Sequence, residues 1–173
     1  MNARTRSVSG WAVLLVAVLV CGLGGWSYAR ARGDDSLAFA KARDAAIADG
    51  RRDLTRLNSM DGRSPASVRS GLAAWLDAST GPLRDRLEST RKKDTAELTA
   101  SGATARGKVT DAALTALDAR AGTAALIATV DIEVTPRTGA GGTERKRFEA
   151  ALVRTGDGWK IKALDAIPVG SGG

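Results

Sequence analysis

The chain has 173 residues, a formal net charge of +7, one cysteine and no histidine. The missing histidine excludes Ser-His-Asp and Cys-His nucleophile activation and histidine-based metal sites. Four arginines and no acids lie in residues 1–32, so much of the basic excess flanks one apolar stretch and does not indicate a nucleic-acid-binding surface.

Residues 10–29 (GWAVLLVAVLVCGLGGWSYA) form this apolar, uncharged stretch. A helix of this length, at about 1.5 Å per residue, spans the roughly 30 Å hydrocarbon core of a bilayer. Aromatic and basic side chains favour the membrane–water interface, and they flank the stretch on both sides. The predicted anchor ends are Trp11, Trp26, Tyr28, Arg30 and Arg32. The sequence therefore predicts a single-pass protein of the cell membrane, with the lipid bilayer as one partner.

Two other interpretations of this segment remain open. Ala29-Arg30-Ala31 has the small-x-small form of a signal-peptide cleavage site, but the apolar run exceeds the roughly 7–15 residues of a signal peptide's apolar core. A lipoprotein site at Cys21 is disfavoured because Val20 precedes it where a small residue is needed. We expect residues 1–9 to be a cytoplasmic tail, residues 30–36 a linker, and the remainder extracytoplasmic.

Helical patterns dominate residues 37–100. The Ala-rich segment from residue 34 to 57 has apolar residues near helical spacing, and residues 58–63 are typical of a turn. Ser64 and Pro65 provide a cap and a first-turn proline for a second helix. One face of that helix carries Val68, Leu72, Trp75 and Leu76. Gly81-Pro82 ends it and begins a third helix that runs to about residue 98.

The hydrophobic period changes to two after residue 101. Strands are predicted at 104–117, 126–134, 147–154 and 159–164, with a tight hairpin at 155–158. The predicted fold class is α+β: an N-terminal transmembrane helix, then helices packed on a four-stranded antiparallel sheet. The extracytoplasmic domain covers residues 37–168, with the sheet in 103–168, and residues 169–173 form a disordered tail.

Several segments in a fixed order carry a family resemblance: LNSMD at 57–61, WLDA at 75–78, TGPL at 80–83, and LVRT followed by GWK within 152–160. With the anchor, they resemble the Mce-associated membrane proteins, small actinobacterial proteins linked to mammalian-cell-entry (Mce) lipid and sterol import systems. The resemblance covers roughly residues 10–168. It implies a cystatin-like or NTF2-like domain, an accessory or stabilising role, and Mce transport-complex subunits or related membrane proteins as partners. It supplies no catalytic residue.

Three acids deserve a functional interpretation beside a structural one. Asp61 and Asp77 lie near helix ends and Asp165 follows the last predicted strand, so one of them could act as a general base. Capping and turn hydrogen bonding is the favoured alternative.

Aromatic and basic residues also have two interpretations each. Trp75, Trp159 and Phe148 could line an apolar cavity between helices and sheet, although core filling is commoner for such residues. The basic runs at 91–93 and 145–147 could contact anionic headgroups, but acids nearby favour solvated surfaces.

Three functional classes follow from these features. The favoured class is a non-enzymatic, membrane-anchored accessory protein of an Mce-type lipid or sterol import complex. The alternative is a lipid- or sterol-binding NTF2-like module with an apolar cavity, and an isomerase-like enzyme is less favoured. We predict no catalytic, metal or cofactor-binding residue, no cofactor and no nucleic-acid partner. The oligomeric state stays open.

Overall fold

The computed structural model describes residues 36–168. The chain divides into two compact units, Met1–Lys41 and Ala42–Gly173. In the first unit, residues 36–41 are helical. The predicted anchor at 10–29, with Trp11, Trp26, Tyr28, Arg30 and Arg32 at its ends, lies outside the described residues, as does the predicted tail at 169–173. Between residues 36 and 168, no helix combines the length and apolarity needed to cross a membrane.

Three helices precede most of the sheet. They are α1 (36–57), whose residues from Ala42 onward belong to the second unit, α2 (Pro65–Ala78) and α3 (Gly81–Ser101). Ser64 caps α2 as the sequence predicts: its hydroxyl accepts the Ser67 N–H at 3.1 Å, and the Ser67 hydroxyl accepts the Ser64 N–H at 3.2 Å. Helix α3 ends at Gly102, whose φ of 60° lies in the left-handed region.

The sheet is an antiparallel meander in the order β1-β2-β3-β4-β5. Its strands are β1 (Met60–Asp61), β2 (Thr104–Asp118), β3 (Thr123–Thr135), β4 (Gly142–Thr155) and β5 (Gly158–Ile167). The predicted tight hairpin joins β4 to β5, where Thr155 pairs with Gly158. Register shifts interrupt β2 between Val109 and Asp111 and again between Leu114 and Ala116. The four long strands were all expected from the sequence.

The prediction of a four-stranded sheet was wrong, because a fifth strand lies within the predicted helical part. Met60 pairs with Ala105 and Asp61 with Thr104, which adds β1 to the edge of β2. The Gly62 N–H then donates to the Ala103 carbonyl at 2.9 Å. A two-residue strand is too short to show an alternating pattern in the sequence. Strand β1 is therefore recognised from its backbone pairing with β2.

The core fills the space between α1 and one face of the sheet. The larger hydrophobic cluster joins α1 to β2, β3, β4 and β5; the smaller one joins β1 to α2. Fully buried hydrophobic side chains are Leu54, Val68, Leu126, Val130, Leu152, Trp159 and Ile161. A Cβ at Gly50 would meet the Leu126 and Leu152 side chains at 3.2 and 3.1 Å, so this glycine lets α1 approach the sheet closely.

Candidate functional site

The three acids singled out by the sequence are not gathered into one site. Asp61 lies on β1 and Asp165 on β5, at opposite edges of the sheet. The Asp61 carboxylate accepts the Arg63 N–H at 3.0 Å, which is the turn role expected from the structural interpretation. Asp77 instead forms ion pairs with Arg56 at 2.8 Å and with Lys160 at 3.4 Å.

The three aromatic residues proposed as cavity lining belong to two clusters. Trp159 and Phe148 are 2% and 8% exposed and lie in the larger core cluster. Trp75 is half-buried against the smaller cluster, and its indole N–H donates to the Ser59 carbonyl at 3.0 Å. None of the three lines the open concavities on the sheet face, beside α2 or next to Arg137. The structure places them in packing positions in two separate clusters.

A buried ion cluster joins α1 to the start of β5. The Asp53 carboxylate on α1 is fully buried and lies 3.2 Å from the Arg52 Nε and 3.5 Å from the Arg56 Nη1. Lys160 on β5 is also buried, with its ammonium 3.4 Å from the Asp77 carboxylate. One turn earlier on α1, Asp49 accepts the Trp159 N–H at 2.9 Å. These bonds fix α1 and the end of α2 against the first residues of β5.

Burial raises the pKa of Asp53 above its ordinary value, because desolvation disfavours the charged carboxylate; Arg52, Lys160 and Arg56 oppose that rise. Its Oδ2 has no hydrogen-bond partner among the described residues. A raised pKa is a feature of general bases, but the Asp53 side chain is fully buried and ion-paired with Arg52 and Arg56. Its contacts are those of a structural clamp.

Sequence reasoning missed Asp53, although a signal for it was present. Asp53 is seven residues after Ala46 and directly precedes Leu54, which places it on the buried face of an Ala-rich helix. An acid on that face needs cationic partners, and Arg52 and Arg56 are available beside it. The distant partner, Lys160, becomes evident only from the tertiary structure.

The opposite face of the sheet carries no helix in the part of the chain that the structure describes. We call it the outer face, and it consists of the side chains of β2 to β5 that point away from α1. Its cross-strand rows include Lys108 with Asp131 and Arg145, Asp111 with Thr129, Arg147 and Ile167, Ala113 with Ile127, Glu149 and Asp165, and Ala116 with Ala125, Ala151 and Ala163. Charges thus concentrate at one end of the face and small apolar residues at the other.

An open depression of about 460 Å³ lies on the outer face where the charged and apolar rows meet. Ile127, Thr129 and Arg147 contribute to its lining, as do residues at the first register shift of β2. Ile127 is 37% exposed, which is unusual for a large aliphatic side chain in the middle of a central strand.

One ion pair joins β3 and β4 within the charged rows of the outer face. Arg145 binds Asp131 with two bonds of 2.7 and 3.0 Å, and the hydrogen bond from Arg145 lowers the pKa of the Asp131 carboxyl. Lys146, on the other side of β4, pairs with Glu144 at 3.1 Å. The basic run at 145–147 thus has the acid neighbours that favoured a solvated surface. On α3, residues 91–93 are exposed, and Lys93 pairs with Glu97 at 3.8 Å.

The fold has relatives among solved structures. The chain is similar to CagV, a VirB8 homolog of the T4SS of Helicobacter pylori strain 26695, with a TM-score of 0.56 and 10% identity over 73% of this chain and 98% of CagV. It is similar to a periplasmic fragment of TraM, with a TM-score of 0.55 and 13% identity over 73% of this chain and 97% of the fragment. The periplasmic domain of DotI gives a TM-score of 0.51 and 12% identity over 71% of this chain and 93% of that domain.

At these low identities the likeness shows the fold, which is α+β with helices packed on an antiparallel sheet. The α+β part of the expectation is thereby confirmed. No protein-family model matches the sequence, and no curated protein matches it either.

Proposed function

We propose that this chain is a non-enzymatic, membrane-anchored accessory protein whose outer face contacts a partner subunit in an envelope transport complex. The observation that carries this proposal is the uncovered outer face. One side of the sheet is packed against α1, while the other presents rows of charged and small apolar side chains to solvent within residues 36–168. A flat face of mixed polarity has the composition of a non-obligate protein–protein interface.

The family of the assembly is proposed on two grounds. The sequence resembles Mce-associated membrane proteins, so an Mce-type lipid or sterol import complex is the assembly we propose. CagV and the periplasmic domain of DotI, which have similar folds, are by their descriptions a T4SS protein and a periplasmic domain. One protein with this fold thus belongs to a T4SS, and another is periplasmic.

The proposed anchor gives such contacts an energetic advantage. With residues 10–29 in the bilayer and the N-terminus in the cytoplasm, the domain would stay close to membrane-embedded subunits. Tethering raises the effective concentration of two surfaces without adding contacts, so individually weak interactions become sufficient.

A co-purification experiment with a matched surface control tests the proposal. The full-length chain is extracted gently from its native membrane as the wild type, as Ile127→Lys on the outer face and as Ala96→Lys on the exposed side of α3. Native mass spectrometry then identifies what accompanies each form. We expect subunits of one transport complex with the wild type and with Ala96→Lys, and their loss from Ile127→Lys.

Two results would contradict the proposal. Transport-complex subunits that accompany Ile127→Lys as well as they accompany the wild type would show that the outer face is not the contact. A lipid or sterol in place of protein subunits would favour the binding-module alternative. Circular dichroism of each variant establishes that loss of partners is not loss of folding.

A further inference from the structure

A second concavity lies between the first half of α2 and the edge formed by β1 and β2. Its volume is about 430 Å³, within the range of small-molecule sites in proteins. Its polar lining residues include Arg56, Arg63, Arg106, Ser67, Ser70 and Thr104. The proposed function does not use this pocket.

The pocket is rich in positive charge that the protein does not neutralise. Arg63 and Arg106 form no side-chain hydrogen bond or ion pair with any residue from 36 to 168, whereas Arg56 is bound to Asp77. The acid in the lining is Asp61, and one of its oxygens already accepts the Arg63 backbone N–H. Two arginines without side-chain partners among residues 36–168 therefore line one pocket.

The same positive region continues into an adjoining pocket. Arg63 also lines a concavity of about 560 Å³ whose other members include Thr135 and Arg137. Arg137 donates one bond to the Thr99 carbonyl at 3.3 Å and is otherwise without a side-chain partner in the described part. A ligand larger than a single ion could thus extend from Arg106 past Arg63 toward Arg137.

We infer that this pocket binds the phosphate group of a phosphate ester. Guanidinium groups bind phosphate with paired, charge-assisted hydrogen bonds, and hydroxyl groups add donors to the remaining oxygens. Arg63, Arg106 and the Ser70 hydroxyl offer more donors than the two oxygens of one carboxylate accept, which favours phosphate. The ester is either a soluble metabolite or a phospholipid headgroup, since both present the same group.

Binding measurements on the full-length chain in detergent test this inference. Glycerol 3-phosphate and inorganic phosphate are titrated at constant ionic strength, with acetate as the carboxylate comparison, and the unfolding temperature is recorded. We expect both phosphates to raise it in a saturable way, and acetate to have no such effect. Nanodiscs containing phosphatidylglycerol or phosphatidylcholine then distinguish a phospholipid headgroup from a soluble metabolite. Protection of the backbone amides around Arg63 from hydrogen exchange by the anionic headgroup indicates a lipid. Binding of the soluble ester alone indicates a metabolite.

Three variants locate the binding. Arg63→Gln and Arg106→Gln should each weaken phosphate binding at least tenfold. Arg120→Gln removes an exposed arginine at the β2–β3 turn and should leave the affinity unchanged. Equal effects of Arg63→Gln and Arg120→Gln, acetate binding as tight as phosphate, or no response to any phosphate would overturn the assignment. None of these results depends on a partner protein.

Discussion

Replacing Lys160 with methionine should destabilise the domain through the buried ion cluster. Methionine keeps the length of the side chain but removes a charge that opposes the raised pKa of Asp53. Removing one member of a buried pair costs about 3–5 kcal/mol when the other charge is left uncompensated. Asp53 retains Arg52 and Arg56, and Asp77 is 61% exposed, so we expect about 2 kcal/mol at neutral pH. Thermal unfolding should report this as a decrease of about 6–10 °C.

The pH dependence of the destabilisation caused by Lys160→Met is the sharper test. Burial raises the native pKa of Asp53 above 3.8, so the native state holds this proton at pH values where the unfolded chain has released it. The stability that this proton contributes is present below the pKa of Asp53 in the unfolded chain, and it is lost as the pH rises through the pKa of Asp53 in the native state. Lys160→Met raises that native pKa further, because a nearby cation is gone. The difference between variant and wild type should therefore shrink as the pH falls from about 7 toward 4.

Lys162→Met is the matched control, because Lys162 is an exposed residue of the same strand. Its effect should stay within about 0.5 kcal/mol at every pH. The reasoning is refuted if Lys160→Met costs no more than Lys162→Met, or if its cost is constant or grows as the pH is lowered.

Four further substitutions test the packing of the fold by chemical denaturation. Ser64→Ala removes the reciprocal cap of α2 and should cost about 1 kcal/mol; no loss would mean that the cap bonds are not stabilising. Leu126→Ala opens a cavity in the fully buried centre and should cost about 2–5 kcal/mol, a value that a loosely packed core would not give. Gly62→Ala should be destabilising because its Cβ would lie 2.5 Å from the Ala103 carbonyl oxygen, whereas Gly142→Ala, with no atom within 4 Å, should be close to neutral. Equal effects of the two glycine substitutions would contradict that geometry.

Much of the fold was predictable because its signals are local. The Ser64–Pro65 start of α2 follows from capping chemistry, and alternation along β3 predicts both its strand character and its buried side. Strand β1 was not predictable, since Met60 and Asp61 depend on backbone bonds to residues more than forty positions away. The register shifts of β2 fall in a run of alanines and threonines that alternates too weakly to fix its register.

The candidate sites were less predictable than the fold, because they combine distant residues. Asp53 could have been found from its place on the buried face of α1, but its electrostatic interaction with Lys160 requires the position of β5. The phosphate pocket joins Arg63, which precedes α2, to Thr104 and Arg106 on β2. No spacing in the sequence relates these segments. Trp75, Trp159 and Phe148 were recognised as important apolar residues, and the structure assigns them to two packing clusters.

Site-specific photo-cross-linking in the native membrane tests the central claim most directly. A photoreactive amino acid replaces Ile127 on the outer face or, as the control, Ala96 on α3, and cross-linked proteins are identified by mass spectrometry. The account predicts that position 127 yields a cross-link to a subunit of a membrane transport complex and that position 96 does not. Cross-links to such a subunit from position 96 alone, or none from position 127, would contradict the assignment of the outer face as the partner-binding surface.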